Sequence, residues 1–334
     1  MTAPNQERSR LSDAPPPLRI VAWRPGGTTE TDDLAELPAL ASDPEARLWI
    51  DAVEPDAETV RAVASALGLH HLIAEDIAER NQRAKVETFG DRVHIVLFGL
   101  AFRGEVETSE IDFVLGPRML LSVHGPQWDA RAVGPLRMGA EAVLARGTDY
   151  LLYALSDAVV DGYFPVLDRL ADEIDELQDQ VLSAATDWTL QRLFVLKREL
   201  IAIRRATSPA REIFNQLTNR EVGPIADAHV VYFRDVYDHL IRVTDELDNY
   251  RELVAGTLEM YLSIVNNNLS RIMKRLTGVT VLLAGVGAIA GIFGMSEAGV
   301  VFAGSEAIGF WVVSAAVVAL AVGAAVVLRR FDWI

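Results

Sequence analysis

The sequence contains no cysteine in 334 residues. Disulfides, thiolate zinc sites and cysteine nucleophiles are therefore excluded, and metal ligands must come from histidine, carboxylate, amide, hydroxyl or carbonyl groups. Positive charge is also scarce, because 31 Lys and Arg residues face 47 Asp and Glu residues and the formal net charge is −16. Phosphate backbones repel such a chain, so we expect no nucleic-acid partner, whereas cations become attractive ligands. The sequence has no glycine-rich phosphate loop and no nucleophile with its base, so neither an ATP-driven pump nor an enzyme is expected.

Charge disappears altogether from two stretches near the C-terminal end. Residues 276–295 and 307–328 are runs of 20 and 22 residues without Asp, Glu, Lys or Arg. At about 1.5 Å per residue, each run covers roughly 30 Å as a helix, which is the thickness of the hydrocarbon core of a bilayer. We therefore predict two transmembrane helices.

Basic residues flank these two stretches on the side opposite to their connection. They are Arg271, Lys274, Arg275, Arg329 and Arg330. The connecting loop, 296–306, has acids but no Lys or Arg. Because basic flanks stay in the cytoplasm, both termini, including the tail 329–334, are predicted to be cytoplasmic and the loop external, in the plasma (bacterial inner) membrane.

The part of the chain before the predicted spans divides into three regions. Residues 1–17 are polar, end in three prolines and predict a disordered lead. Residues 18–148 predict a cytosolic α/β domain, because short β-type runs alternate with helical stretches such as 57–67. The β-type runs are 19–23, 47–50, 93–102, 111–115 and 119–124.

Residues 149–275 predict a helical stalk region. Helical periodicity covers 151–185, 188–205 and 210–218. Pro224 then indicates the start of a helix, and only isolated glycines interrupt the pattern from Ile225 to Met295. That helix would contain 71 residues, be about 105 Å long and join the cytosolic domain to the first span.

One face of the first span and of its approach carries small or polar residues at every third or fourth position. The stripe consists of Ser263, Asn266, Ser270, Met273, Thr277, Thr280, Ala284, Gly287 and Gly291. Such a stripe either lets helices pack closely or lines a path for water and ions. A single hairpin cannot enclose a pore, so an ion path would require a ring of several chains with the first span innermost. Glu297 and Glu306, the only charges of the external loop, would then concentrate cations at its mouth or simply keep the loop soluble.

Several long segments are distinctive in sequence: WIDAVEP (49–55), HHLIAEDI (70–77), QRAKVE (82–87), DYLLYALSDAVVDGYF (149–164), the segment 232–277 and IAGIFGM (289–295). Together they resemble the CorA family of divalent-cation channels, including its ZntB relatives. The resemblance implies an α+β membrane protein that forms a homopentameric funnel in the lipid bilayer, with long stalk helices, the first span lining the pore and the second outside it. It also implies passive entry of hydrated Mg²⁺, Co²⁺ or Ni²⁺ down the membrane potential.

The outer end of the first span departs from this family. The family signature there is Gly-Met-Asn, whereas this chain has Gly294, Met295 and Ser296. In the family a ring of Asn carbonyls meets the hydrated ion, and a shorter serine hydroxyl would give a wider and weaker ring. A ZntB-like Zn²⁺ transporter, with or without proton coupling, and a non-conducting Mg²⁺ sensor therefore stand as alternatives to Mg²⁺ and Co²⁺ uptake.

The resemblance also implies regulatory metal ligands. Glu75 and Asp76, with Asp235 and His239, match positions that bind Mg²⁺ between neighbouring subunits of the family, and Asp157 and Asp161 are weaker candidates. A divalent ion that bridges facing carboxylates would hold the ring closed. By contrast, acids spaced by seven residues predict a solvated face; they are Asp238, Asp245, Glu252 and Glu259. His70 and His71 are interpreted as hydrogen-bonded surface residues, and no role is assigned to His94, His124 or His229.

Overall fold

The computed structural model describes residues 17–137, 139–219, 223–295 and 306–330. It contains two compact units. The first runs to Leu177 and continues over Gln191–Ala255, and the second comprises Gln178–Leu190 and the chain from Gly256 onwards.

A mixed seven-stranded sheet forms the centre of the first unit. Its strands are β1 (Leu18–Arg24), β2 (Gly27–Thr31), β3 (Arg47–Val53), β4 (Lys85–Phe89), β5 (Arg92–Phe102), β6 (Val106–Gly116) and β7 (Met119–His124). Their order is β2-β1-β3-β7-β6-β5-β4. Only β3 and β7 pair in parallel among these strands, and the other neighbours are antiparallel. The sheet agrees with the predicted α/β region and adds β2 and β4, which periodicity did not predict.

The central strands are buried on both faces, and each face has a different character. On one face Ile50, Leu121 and Val123 pack with apolar residues of the helices α2 (Ala57–Leu67) and α3 (His71–Glu79). On the other face the indole Nε1 of Trp49 donates to the hydroxyl of Ser122 at 2.9 Å. Both groups are fully buried, so this hydrogen bond satisfies polar atoms that would otherwise be costly to bury.

Short helices begin and end where local chemistry dictates. Helix α1 covers Leu37–Ser42, and α4 covers Glu141–Leu144. Asp56 accepts a hydrogen bond from Thr59 N at the start of α2, and Gly68 ends it with a left-handed φ of 63°. His70 similarly accepts from Leu72 N at the start of α3, which agrees with the interpretation of this histidine as a structural surface residue.

The helical region differs from the prediction at two internal boundaries. The run predicted as one helix is divided at Gly162 into α5 (Thr148–Asp161) and α6 (Tyr163–Ser183). The two runs predicted after it form a single helix, α7 (Asp187–Thr218), which passes through Pro209. Buried residues on either side of this proline, Ala206 and Ala210, keep one face packed, so packing overrides the lost backbone hydrogen bond.

The longest helix, α8 (Val230–Met295), has 66 residues, and its predicted start at Ile225 is wrong. The carboxylate of Asp149 accepts hydrogen bonds from Ala226 N at 2.9 Å and from the His229 ring at 2.8 Å. These bonds hold the segment before α8 in turns, because a buried carboxylate competes for the backbone donor. His229 thus has a structural role at this start.

Among the helices within the described ranges, one is long and apolar enough to cross a membrane. It is α8, over Val230–Ile292. The predicted second span lies inside α9 (Glu306–Arg330), a helix of 25 residues. Its crossing of a membrane stays a prediction. Of the predicted disordered lead (1–17) and the predicted cytoplasmic tail (329–334), residues 1–16 and 331–334 lie outside the described residues.

Candidate ion pathway and metal-binding clusters

The predicted small and polar stripe lies along one continuous helix. Its members between Asn266 and Gly291 are all exposed in the isolated chain. They are Asn266, Ser270, Met273, Thr277, Thr280, Ala284, Gly287 and Gly291. The hydroxyl of Thr280 donates to the carbonyl of Leu276 at 2.8 Å, so its lone pairs still face outward. An uncovered stripe can face either a neighbouring helix or an aqueous path.

A second, apolar stripe runs beside the first on the same helix. Its members are Leu262, Val265, Leu269, Ile272 and Leu276, which follow one another at intervals of three and four residues. All five are exposed, and Leu276 retains 60% of its surface. This spacing is the heptad pattern that packs one helix against another in a supercoiled bundle. The helix therefore presents a polar face and an adjacent apolar face with heptad spacing.

Part of the predicted outer mouth lies beyond the described region. Helix α8 includes the backbone of Gly294 and Met295, whereas Ser296 and Glu297 fall outside the described residues. Glu306 is the first residue of α9.

Three predicted regulatory residues come together in the first unit. The ligand atoms of Asp157, Asp161 and His239 all lie within 4.8 Å of one another. The Nδ1 atom of His239 is 3.6 Å from Asp161 Oδ1. Among the described residues, Asp157 Oδ1 and His239 Nδ1 are buried without a hydrogen-bond partner. Buried polar atoms without partners fit a site that a cation completes.

Electrostatics at this cluster favour a bound cation. Burial, reinforced by the charges of Asp161 and Asp235, raises the pKa of Asp157 to about 6. A metal ion would reverse this effect, since it stabilises the ionised carboxylate. Helix α5 supplies the two aspartates of the cluster and α8 supplies the histidine, so the site joins the two helices.

The other predicted regulatory residues occupy different surroundings. Glu75 is exposed on α3. Asp76 forms a 2.7 Å ion pair with Lys85. Asp235 is exposed on α8, one turn before His239. Within one chain, Asp76 belongs to a different group of possible metal ligands from Asp157, Asp161 and His239.

Sequence reasoning missed two residues near Asp76. His94, to which no role was assigned, and Glu87 form a second group with Asp76 whose ligand atoms lie within 4.8 Å of one another. Glu87 and His94 are direct cross-strand partners of β4 and β5. The Gly90-Asp91 pair was the available signal in the sequence, because such a pair is typical of a tight hairpin turn, and a hairpin centred there would pair these residues.

The acidic face predicted to be solvated is exposed at all four positions, Asp238, Asp245, Glu252 and Glu259. No ligand function is therefore required to explain their charge.

Comparisons with known proteins agree with this architecture. A family model described as "CorA-like Mg2+ transporter protein" matches residues 45–330. The cobalt/magnesium transport protein CorA of Thermotoga maritima is 37% identical over 72% of this chain and 70% of its own length. The zinc transport protein ZntB of Yersinia pseudotuberculosis is 20% identical over 80% of this chain and 81% of its own length.

A solved structure shares the fold across nearly the whole chain. The CorA magnesium transporter of Methanocaldococcus jannaschii superimposes with a TM-score of 0.79, covering 95% of this chain and 98% of its own, at 23% identity.

Proposed function

The chain belongs to the CorA-like Mg²⁺ transporter family, and we propose that it forms a homopentameric channel of the bacterial inner membrane for Mg²⁺ and Co²⁺. In this proposal the membrane potential drives ions inward, the first span lines the pore, and both termini are cytoplasmic. The family is one of transporters, so no enzymatic activity is proposed.

The uncovered stripe of α8 is the observation that carries this proposal. Polar residues continue below the predicted span to Asn266, where close packing in lipid does not explain their polarity. The adjacent apolar stripe supports self-association, because its heptad spacing fits a second copy of the same helix. Copies that pack through the apolar stripe would turn the polar stripe toward a common axis, where hydrated ions could pass.

Gating is proposed to depend on Mg²⁺ at two groups of acids. Carboxylate oxygens are the ligands that Mg²⁺ prefers, and Asp157 and Asp161 supply them in the cluster that they form with His239. Asp76 and Glu75 would face Asp235 of a neighbouring copy, and a bridging ion would relieve the repulsion between them. A fall in cytosolic Mg²⁺ would empty the bridges and loosen the ring.

Zinc transport is the second candidate function. The imidazole of His239 beside two carboxylates suits Zn²⁺ better than Mg²⁺. The Gly-Met-Ser tripeptide and the similarity to a zinc transport protein point the same way.

Flux into liposomes distinguishes these functions. We expect purified protein to admit Mg²⁺, detected by an enclosed Mg²⁺ dye, and Ser296→Asn to sharpen the preference for Mg²⁺ over Co²⁺. Passage of Zn²⁺ without Mg²⁺ would identify the zinc function. Absence of flux for both ions would leave a non-conducting sensor. An ion series unchanged by Ser296→Asn would show that the tripeptide is not the filter.

Two matched substitutions on α8 test the proposed regulation by Mg²⁺. Asp235→Asn should weaken inhibition by millimolar Mg²⁺ in the same liposomes, since one bridging carboxylate is lost. Asp238→Asn is the control, because Asp238 is also exposed on α8 but belongs to the solvated face. Equal inhibition of both variants and the wild type would place the sensor elsewhere.

A further inference from the structure

Among the described residues, a buried histidine on β5, next to the edge strand β4, has one ring nitrogen without a hydrogen-bond partner. His94 on β5 has no exposed surface, and its Nε2 atom is 2.8 Å from Asp112 Oδ1 on β6, which is also fully buried. Burial of both groups, with a short contact between them, fixes the orientation of the imidazole.

The contact with Asp112 also assigns the tautomer. A carboxylate only accepts, so Nε2 must carry the proton and donate it to Asp112. In the neutral ring, Nδ1 then bears a lone pair. Within the described ranges Nδ1 has no hydrogen-bond partner, and Asp76 Oδ2 lies 3.9 Å away. A buried lone pair 3.9 Å from a carboxylate oxygen is unfavourable unless a proton or a metal cation lies between them.

Acidic groups surround this lone pair. Glu87 opposes His94 directly in the β4–β5 ladder, and its carboxylate, that of Asp76 and the imidazole lie within 4.8 Å of one another. Among the described residues, Glu110 Oε1 and Asp112 Oδ2 are also buried without a partner. The region therefore has an excess of acceptors.

A single ammonium group partly compensates for this excess. Lys85 Nζ lies 2.7 Å from Asp76 and 2.8 Å from Glu87. Burial opposes its protonation, but the hydrogen bonds to these two carboxylates outweigh that effect and raise the pKa of Lys85. The ammonium bonds to the carboxylates and leaves the His94 lone pair unused.

We propose that His94 Nδ1, Asp76 and Glu87 bind a divalent transition-metal ion of the Zn²⁺, Co²⁺ or Ni²⁺ class, and that Lys85 leaves the carboxylates when the ion binds. Imidazole with carboxylates suits these ions, whereas Mg²⁺ prefers oxygen ligands only. Asp112 is a positioning residue in this site. A histidine that ligates a metal commonly donates its other N–H to a carboxylate, which fixes the ring and raises its basicity.

The distances require only a small closure around the ion. Zinc bonds to nitrogen and oxygen are about 2.0–2.2 Å long, so tetrahedral ligands lie about 3.3 Å apart. The imidazole and Asp76 are 3.9 Å apart and need to approach by less than 1 Å. The Lys85 and Glu87 side chains are partly exposed, at 24% and 44%, so both can rearrange.

The site is distinct from the Mg²⁺ clusters of the proposed channel, although it shares Asp76 with one of them. Variants of Asp76 are therefore unsuitable as a test. Zinc binding can be present whether or not the chain conducts Mg²⁺, and the two ideas fail independently.

The test is calorimetric titration of the full chain in detergent with Zn²⁺ alone. Every protein carries His239→Ala, which removes the imidazole of the Asp157 cluster. Glu87→Gln changes a partly exposed ligand and should weaken Zn²⁺ binding at least about tenfold. Asp112→Asn should weaken it about 10–100-fold through the orientation of His94. Glu107→Gln is the matched control, because Glu107 is an exposed acid on the adjacent strand β6, and it should leave the affinity unchanged.

Lys85→Gln provides the sharpest discrimination, because its expected effect has the opposite sign. Removal of the competing ammonium should tighten Zn²⁺ binding by about tenfold, since the free site becomes more populated. If Lys85 completes a purely structural network, the same variant should loosen the fold without raising affinity for Zn²⁺.

X-ray absorption at the zinc edge completes the test. We expect imidazole nitrogen among the first ligands in the His239→Ala protein and its loss when His94→Gln is added. Equal Zn²⁺ affinities for the Glu87→Gln, Lys85→Gln and Glu107→Gln proteins would overturn the proposal, as would a zinc shell of oxygen only.

Discussion

The sheet-containing unit and the predicted membrane-spanning portion of α8 differ in how far their apolar side chains are buried. In the first, large residues such as Trp49, Phe113 and Phe214 are fully buried by the chain itself. In the second, Leu283 and Ile292 keep 63% and 67% of their surface exposed. Because each buried Å² of apolar surface contributes about 25 cal/mol, the first unit obtains its stability within one chain. The second leaves the same kind of surface exposed, and in the proposed channel lipid and further copies of the chain would cover it.

The largest expected effect is on the free energy of unfolding, from a substitution in the core of the sheet-containing unit. Phe113→Ala should lower the free energy of unfolding by about 3–5 kcal/mol, since it leaves a cavity in a fully packed sheet. Leu269→Ala, on the exposed apolar stripe, is the matched truncation. It should leave the unfolding transition of the sheet-containing unit unchanged and weaken the proposed self-association instead. Denaturant unfolding followed by tryptophan fluorescence, with native mass measurement, separates the two effects. Equal loss of unfolding free energy in both variants would break the comparison.

A charge placed on two equally exposed positions of α8 sharpens the comparison. Leu283→Arg should oppose membrane insertion by about 2.5–3.5 kcal/mol, because lipid cannot solvate the guanidinium. Val231 retains 60% exposure, close to the 63% of Leu283, but precedes the predicted span by many residues. Val231→Arg should therefore have no effect on insertion. A membrane-insertion assay with both variants measures the difference, and an equal response would mean that exposure at Leu283 does not indicate contact with lipid.

The smallest effect concerns the pH dependence of the stability of the sheet-containing unit. The pKa of Asp157 is raised to about 6 from 3.8, so the folded state binds the proton more tightly than the unfolded state. Its contribution to stability is present below pH of about 4 and is lost as pH rises through about 6. Asp157→Asn should therefore stabilise the metal-free protein by about 1–2 kcal/mol at pH 7 and by almost nothing at pH 4.

Thermal unfolding in a chelator across this pH range measures the effect. Asp238→Asn, at an exposed acid, is the control and should shift the curve uniformly. A pH profile of Asp157→Asn parallel to the wild type would show that this carboxyl is not perturbed.

The sequence predicted elements whose signals are local. Periodicity placed β7 and α2 at their observed residues, and the first charge-free run lies in the helix that is long and apolar enough to cross a membrane. Prediction from the sequence failed where contacts between residues distant in the chain determine the boundaries of a helix. The turns before Val230 depend on Asp149, which lies far away in the chain, and the passage of α7 through Pro209 depends on packing against other elements.

The candidate site shows the same division. Asp157 and His239 were recognisable from family motifs, and the structure brings them together with Asp161. His94 lies in none of the quoted motifs, and Glu87 ends the segment QRAKVE without a predicted ligand role. Their approach depends on the β4–β5 hairpin, and β4 was not predicted. The grouping of Asp76 with Lys85 likewise arises only when strand and helix meet.

The central claim is that copies of α8 surround an ion path. Its most direct test is cysteine substitution at Thr280 in the polar stripe and at Val281 beside it, in a chain that has no other cysteine. Both positions are exposed in the isolated chain. With the protein in liposomes, a charged, water-soluble thiol reagent should block Mg²⁺ flux through the Thr280→Cys protein and leave Val281→Cys unaffected. Block at Val281→Cys with full flux at Thr280→Cys would contradict the account.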